Sequence, residues 1–228
     1  MAKMTLSSQL ATLSALAALF SLGLQGCSST KEDEVRRLQA RAYYEQGLKS
    51  LSDRQVAPGL TSLREAVRLD PDNANFHNTL GVLLVDLRRP SEAEEEFRKA
   101  IALDGGYAEA HHNLGLALAE QGRYDLAIEA YRRALSLPVY ATPEVGYYNL
   151  GRAYAQVNRP REAEDSLRTA IRLDPKLAAA YYQLGVVLTG QGRREEAKAA
   201  FRHARDLEPS SPFGQSAVEA LKTLGEGG

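Results

Sequence analysis

Five glycines, Gly47, Gly81, Gly115, Gly151 and Gly185, recur at spacings of 34, 34, 36 and 34 residues. Leu80, Leu114, Leu150 and Leu184 stand directly before four of them. Twelve residues after each glycine comes a small residue, Gly59, Ala93, Ala127, Ala163 or Ala197, and nineteen after it Ala66, Ala100, Ala134, Ala170 or Ala204. Between these columns, at offset sixteen, stand Leu63, Phe97, Tyr131, Leu167 and Phe201, and Pro71, Pro175 and Pro209 close their units at offset twenty-four. A period of this length means one supersecondary unit repeated, because a single such unit cannot bury its apolar face alone.

Each unit reads as helix, turn, helix. A glycine inside a helix costs about 1 kcal/mol relative to Ala, so its return in every unit implies a partner helix whose backbone comes close, and the Ala columns meet that need. Gly122, Asn158 and Gly192 lie seven residues after their units' glycines, where a helix end takes the left-handed conformation, while Pro90 and Pro160 suit the first turn of a following helix. The spacing predicts repeats over 40–73, 74–107, 108–143, 144–177 and 178–211. The first is the poorest, with Gln46 in the Leu column and Gly59 in the Ala column, as a terminal unit with one neighbour tolerates. Over 212–228, Ser211 caps a helix beginning at Pro212 and ending before Gly225, with Phe213, Val218, Leu221 and Leu224 covering the last repeat and a fraying tail beyond.

Residues 1–26 differ in kind. Lys3 is their one charge, and the apolar run from Leu10 to Leu24 falls short of the about 20 residues that a membrane-spanning helix needs. The segment reads as an export signal cleaved before Cys27, the sole cysteine of the chain. That cysteine count excludes a disulfide scaffold, a paired-thiol redox site and a Cys-rich zinc module. Ser28 to Glu34 is polar without apolar period, so 27–39 is expected to be a tether between Cys27 and the repeats. The whole chain has 28 basic and 29 acidic residues; without residues 1–26 and their one Lys the balance is 27 to 29, a charge of −2. Nothing global recruits nucleic acid or an anionic surface.

The period and its small, large and Pro columns resemble the tetratricopeptide repeat, over about three quarters of the chain. The resemblance implies an all-α, right-handed superhelical solenoid of five helix-turn-helix units plus a C-terminal capping helix. The family's aromatic column, usually Trp, holds Tyr43, His77, His111, Tyr147 and Tyr181. The first ring of Tyr43-Tyr44, Tyr147-Tyr148 and Tyr181-Tyr182 is then expected between helices and the second on the concave groove. That groove is lined, by the same resemblance, by Tyr44, Leu48 and Leu51; Asn78, Val82 and Val85; His112, Leu116 and Ala119; Tyr148, Arg152 and Ala155; and Tyr182, Val186 and Thr189. Such an apolar and aromatic surface fits an apolar peptide segment of a protein partner; the alternative is that these side chains only pack on neighbouring repeats.

Other chemistries lack their residues. The carboxylate clamp of chaperone-binding repeats has only Asn113, Asn149 and Arg152 here, without its Lys residues. His77, His111 and His112 lack the further ligands of a metal shell, and no nucleophile, base and oxyanion donors converge. The expectation is a non-enzyme with no cofactor, no metal and no small-molecule substrate.

Leu24-Gln25-Gly26-Cys27 resembles the bacterial lipobox, which implies acyl chains on Cys27; an ordinary signal followed by an unmodified thiol is the alternative. Ser28, where an inner-membrane lipoprotein carries Asp, implies the outer membrane, facing the periplasm. The signal, tether, repeats, the connector from Ser136 to Glu144, two residues longer than its counterparts, and Tyr148-Asn149-Leu150-Gly151 after it together resemble the type IV pilus biogenesis and stability lipoproteins, the pilotins. That resemblance implies binding of pilus secretin subunits, their outer-membrane targeting and multimerisation, with Tyr44, Leu48, Val82 and Val85 as first choice for the contact. The alternative partner set is peptidoglycan enzymes or outer-membrane assembly factors, held by a general periplasmic adaptor.

Overall fold

The computed structural model describes residues 30–225, and every regular element among them is an α-helix. Residues 1–29, which include the expected signal and Cys27, and residues 226–228 lie outside the described chain. Two compact units divide after Phe76. The first contains α1 (residues 30–52), α2 (Val56–Leu69) and the opening of α3 (Ala74–Asp86). The second contains the remainder of α3 and then α4 (Pro90–Leu103), α5 (Ala108–Glu120), α6 (Tyr124–Ser136), α7 (Pro143–Gln156), α8 (Pro160–Leu173), α9 (Ala178–Gly190), α10 (Arg194–Leu207) and α11 (Pro212–Thr223).

In the first unit, Ala40 of α1 and Ala66 of α2 are buried against Phe76, with Tyr44, Val67 and Leu69 packed around them. One expectation fails here: residues 30–39, read as part of a tether, are helical and continuous with the first repeat. Acidic Glu32, Asp33 and Glu34 sit in the opening turns, where the helix dipole favours negative charge. Asp33 accepts from Arg36 at 3.0 Å and Glu45 from Arg41 at 3.2 Å, pairs that a helix brings together and an extended chain does not. Polar composition hid a helix that needs no apolar stripe in its first turns.

In the second unit the columns read from sequence are the core. Ala93, Ala127, Ala163 and Ala197, together with Ala100, Ala134, Ala170 and Ala204, are completely buried, and Phe97, Tyr131, Leu167 and Phe201 lie between them. The recurring glycine is explained by its neighbour across the hairpin: a Cβ on Gly115 would stand 2.5 Å from the Tyr131 ring. Each first helix therefore lies against the large residue of its second helix at a distance that only hydrogen at Cα permits. Pairs α5–α6, α7–α8 and α9–α10 pack internally, and α4–α5, α6–α7 and α8–α9 join one pair to the next.

The turn column is more complete than its sequence suggests. Positive φ occurs not only at Gly122, Asn158 and Gly192 but also at Arg54 and Arg88, the same offset in the first two repeats. A side chain there costs roughly 1 kcal/mol. The next amide offsets it by bonding back to the carbonyl five residues earlier, Arg89 to Leu84 at 2.9 Å and Arg123 to Leu118 at 2.9 Å. At the other end, the Gly214 amide donates to Ser211 Oγ at 3.1 Å, and Pro212 opens α11. Leu221 is buried on α10 and α9, with Phe213, Val218 and Leu224 half-buried beside it. Gly214 lies directly on the Glu208 carbonyl, a contact that leaves no room for a Cβ.

The aromatic column is less uniform than expected. His77 is buried and its Nδ1 meets Glu96 Oε2 at 2.5 Å, whereas His111, Tyr147 and Tyr181 are half-buried and Tyr43 is exposed. Tyr43 lies on α1, the first described helix.

Candidate functional site

The first helices of the repeats present three rows, at offsets −3, +1 and +4 from the glycine, one helical face apart. In the second unit the +1 row is open: Val82 and Val186 are each 40 % exposed and Arg152 is exposed, with Leu116 half-buried. The +4 row is half-buried at Val85, Ala119 and Ala155 and exposed at Thr189.

The −3 row corrects the sequence expectation. Asn78 and His112, read as groove residues, are buried beneath a tyrosine at the end of their own repeat and an asparagine of the next. Asn78 Nδ2 donates to Tyr107 Oη at 3.2 Å, and its Oδ1 accepts from Asn113 Nδ2 at 3.0 Å. His112 Nδ1 meets Tyr140 Oη at 2.6 Å, and Asn149 Nδ2 donates toward His112 Nε2 at 3.5 Å, which puts the imidazole proton on Nδ1. Burial pushes the His112 pKa down to about 4, so the ring is neutral, and burial pushes the Tyr140 phenol up to about 12. Tyr148 and Tyr182 of the same row are half-buried. The Tyr182 ring packs 5.7 Å from Phe201 and 6.0 Å from Phe213, so it serves the C-terminal cap as much as any open surface.

Val85, Leu116 and Arg152 do come together. They line a cavity of about 270 Å³ together with Ala119, Glu120, Tyr124, Tyr131, Asn149, Ala153 and Gln156. The Arg152 guanidinium stands 5.5 Å from the Tyr148 ring centre, and among the described residues no carboxylate pairs with it. Glu120, the nearby acid, is taken by Arg88 at 3.3 Å. Burial pushes the Tyr148 phenol up, while Arg152 opposes it; burial also raises Tyr131. The cavity thus offers apolar walls, the Tyr124 and Tyr131 phenols, the Asn149 and Gln156 amides, the Glu120 carboxylate and the Arg152 guanidinium. Chemically, that set is complementary to an apolar segment carrying a carboxylate or carbonyl acceptor.

Sequence reasoning missed Tyr124, Glu120 and Tyr140. Tyr131, a packing residue by its column, also lines the cavity. Only Tyr140 had a signal, an aromatic ring in a connector two residues too long. In the first unit, Leu48 is exposed and Leu51 half-buried, but the Tyr44 ring stacks on Phe76 at 4.6 Å and its hydroxyl accepts from Asn75 at 3.0 Å. Among the described residues no three His, Cys, Asp or Glu side chains gather as a metal site, and no helix is long and apolar enough to cross a membrane.

The tetratricopeptide repeat family model matches residues 51–108, 78–143 and 148–212. The chain is a tetratricopeptide repeat protein. It is 33% identical over 85 residues to the small glutamine-rich tetratricopeptide repeat-containing protein 2 of Mycosarcoma maydis, a match covering 37% of this chain and 22% of that protein. The chain therefore spans about a fifth of that relative's length. Among solved structures it resembles MamA, at 27% identity and a TM-score of 0.67, over 75% of this chain and 92% of the other. It also resembles PilW, a widely conserved type IV pilus biogenesis factor, with a TM-score of 0.72 at 20% identity, over 80% of this chain and 86% of that one. At that identity the likeness is one of fold. A tetratricopeptide repeat protein is an interaction scaffold, and the open +1 row and the cavity beneath it are where this one has surface to offer.

Proposed function

We propose that the protein is an outer-membrane lipoprotein that holds subunits of a type IV pilus secretin and promotes their targeting and multimerisation. The observation that carries the binding part is the cavity between α5 and α7, with its apolar walls and Arg152, which pairs with no carboxylate among the described residues. An unassembled subunit exposes apolar segments, and shielding one here lowers its tendency to aggregate, while an acyl anchor on Cys27 confines the complex to a surface and raises its local concentration. The lipobox-like Leu24-Gln25-Gly26-Cys27 and the long Ser136–Glu144 connector supply the pilus and membrane parts.

The mature protein contributes no bond-making step in this account; the work is binding. Val82 and Leu116 hold the apolar side chains of the guest, and Arg152 with Asn149 fixes its polar end. The test is a pair of variants in the native cell, Val82→Asp with Leu116→Asp and, separately, Arg152→Glu. Both are expected to leave the protein at wild-type abundance and to reduce heat-resistant secretin multimers in the outer membrane. Normal multimers in both variants would overturn the proposal.

A further inference from the structure

Residues 31–39 of α1 run ahead of the core of the first unit: all are exposed except Asp33, which is half-buried, and Ala40 is the first that is buried. At 100° per residue, Ala40 and Gly47 point toward that core, and the opposite side of the helix carries Lys31, Val35, Leu38, Ala42 and Lys49 in one stripe. Val35 is 53 % exposed and Leu38 62 %, which a helix packed only on its own unit does not require. Cys27 precedes the first described residue by three positions, a reach of no more than about 10 Å.

We infer that this stripe of α1 lies against the lipid surface, with Val35 and Leu38 among the acyl chains and Lys31 and Lys49 reaching the headgroups from either end. The inference rests on the acyl anchor proposed above. An anchored Cys27 delivers α1 to the bilayer, and a helix so delivered with two large apolar side chains facing away from its own core lowers its free energy by laying them into the interface. The contact is apolar and not electrostatic. Over residues 31–45 the four basic residues Lys31, Arg36, Arg37 and Arg41 are matched by the four acidic residues Glu32, Asp33, Glu34 and Glu45. Raising the salt concentration therefore leaves it in place.

The chain contains no Trp, so a single introduced indole reports alone. Full-length protein purified from native cells with Leu38→Trp, and separately with Arg36→Trp about 160° away on the same helix, is placed in vesicles of the host's phospholipids. Its acyl mass and its flotation with the vesicles are measured first. The inference expects Trp at 38 to shift to shorter wavelength and lose most of its emission to brominated lipid, in low and high salt alike, with Trp at 36 remaining water-exposed. Acylated, floating protein whose Trp at 38 behaves as in water overturns the inference and spares the anchor. Absence of acyl mass and of flotation overturns both. A shift at 38 without quenching by brominated lipid, together with cross-linking of two copies through α1, assigns the stripe to a second copy and overturns the lipid assignment.

Discussion

Two kinds of joint hold the second unit together, and they differ in chemistry although the repeats they connect share one register. Between α4 and α5, Glu94 accepts from Arg123 at 2.6 Å, from Gln121 at 2.9 Å and from Arg98 at 2.9 Å. Between α8 and α9 the same offsets give Glu164 with Arg193 at 2.6 Å, Gln191 at 3.3 Å and Arg168 at 2.9 Å. Each is a carboxylate clasped by one guanidinium of the next repeat and one of its own. At the middle joint, between α6 and α7, the corresponding positions are Ile128, which is buried, and Val157, while Arg159 turns to Glu162 and the Tyr154 ring. That joint instead has the inserted Tyr140, whose ring fills the space above Gly146 and whose hydroxyl meets His112. The two added residues of the connector thus exchange a charged clasp near the surface for a half-buried polar plug on His112.

The difference can be broken at the plug with the largest effect. Tyr140→Ala removes a ring packed on Gly146 and strands His112, and should destabilise the protein by about 3–4 kcal/mol in urea unfolding, against about 1–2 kcal/mol for Tyr140→Phe. Equal effects of the two variants would mean that the ring contributes nothing.

The pH dependence sharpens the same contrast. His112 has a folded-state pKa of about 4 against 6.5, so between those values the unfolded chain binds more protons and stability falls as pH is lowered. About 3 kcal/mol should be lost across that window, and His112→Gln should flatten the profile there while leaving the shallower contribution of His111, whose pKa burial also lowers. The clasps titrate elsewhere. Burial works to raise the Glu94 and Glu164 carboxyls, but the bonds from Gln121, Arg98 and Arg123 and from their counterparts outweigh it, and both lie below the usual 4.5. Their stabilisation is present above pH 4.5 and is lost as pH falls through the lowered values.

Smaller effects belong to the clasps. Glu94→Ala and Glu164→Ala should each cost about 1–2 kcal/mol and sum in the double variant, because the two sites share no partner. Sub-additive losses in calorimetry would show that the joints communicate. The smallest net effect is expected from grafting a clasp onto the middle joint. Ile128→Glu alone buries a carboxylate and destabilises, and adding Val157→Gln should recover part of that loss.

What the sequence revealed and what it hid follow from the range of the forces involved. The Ala columns, Tyr131 under Gly115 and the Ser211 cap were legible because each is decided within one hairpin, where spacing along the chain fixes spacing in the molecule. His112 and Asn78 were assigned to the groove because their burial depends on the angle at which the next helix arrives. Nothing in the spacing of a single helix encodes that angle. Arg54 and Arg88 in the left-handed turn column escaped notice because backbone bonding, not residue preference, holds them there. The first turns of α1 escaped because charge pairs hold them, and their apolar Val35 and Leu38 face away from the unit's own core. That Arg152 pairs with no carboxylate among the described residues, and that Tyr131 and Asn149 join it around one cavity, depends on contacts between repeats that spacing does not encode.

The claim that α5 and α7 receive a guest is tested most directly by placing a photoreactive phenylalanine at Leu116 in the native cell, with the same group at exposed Glu129 on α6 as the comparison. The account predicts an adduct of Leu116 with a secretin subunit and none from position 129. No adduct at Leu116, or equal adducts from both positions, would contradict it.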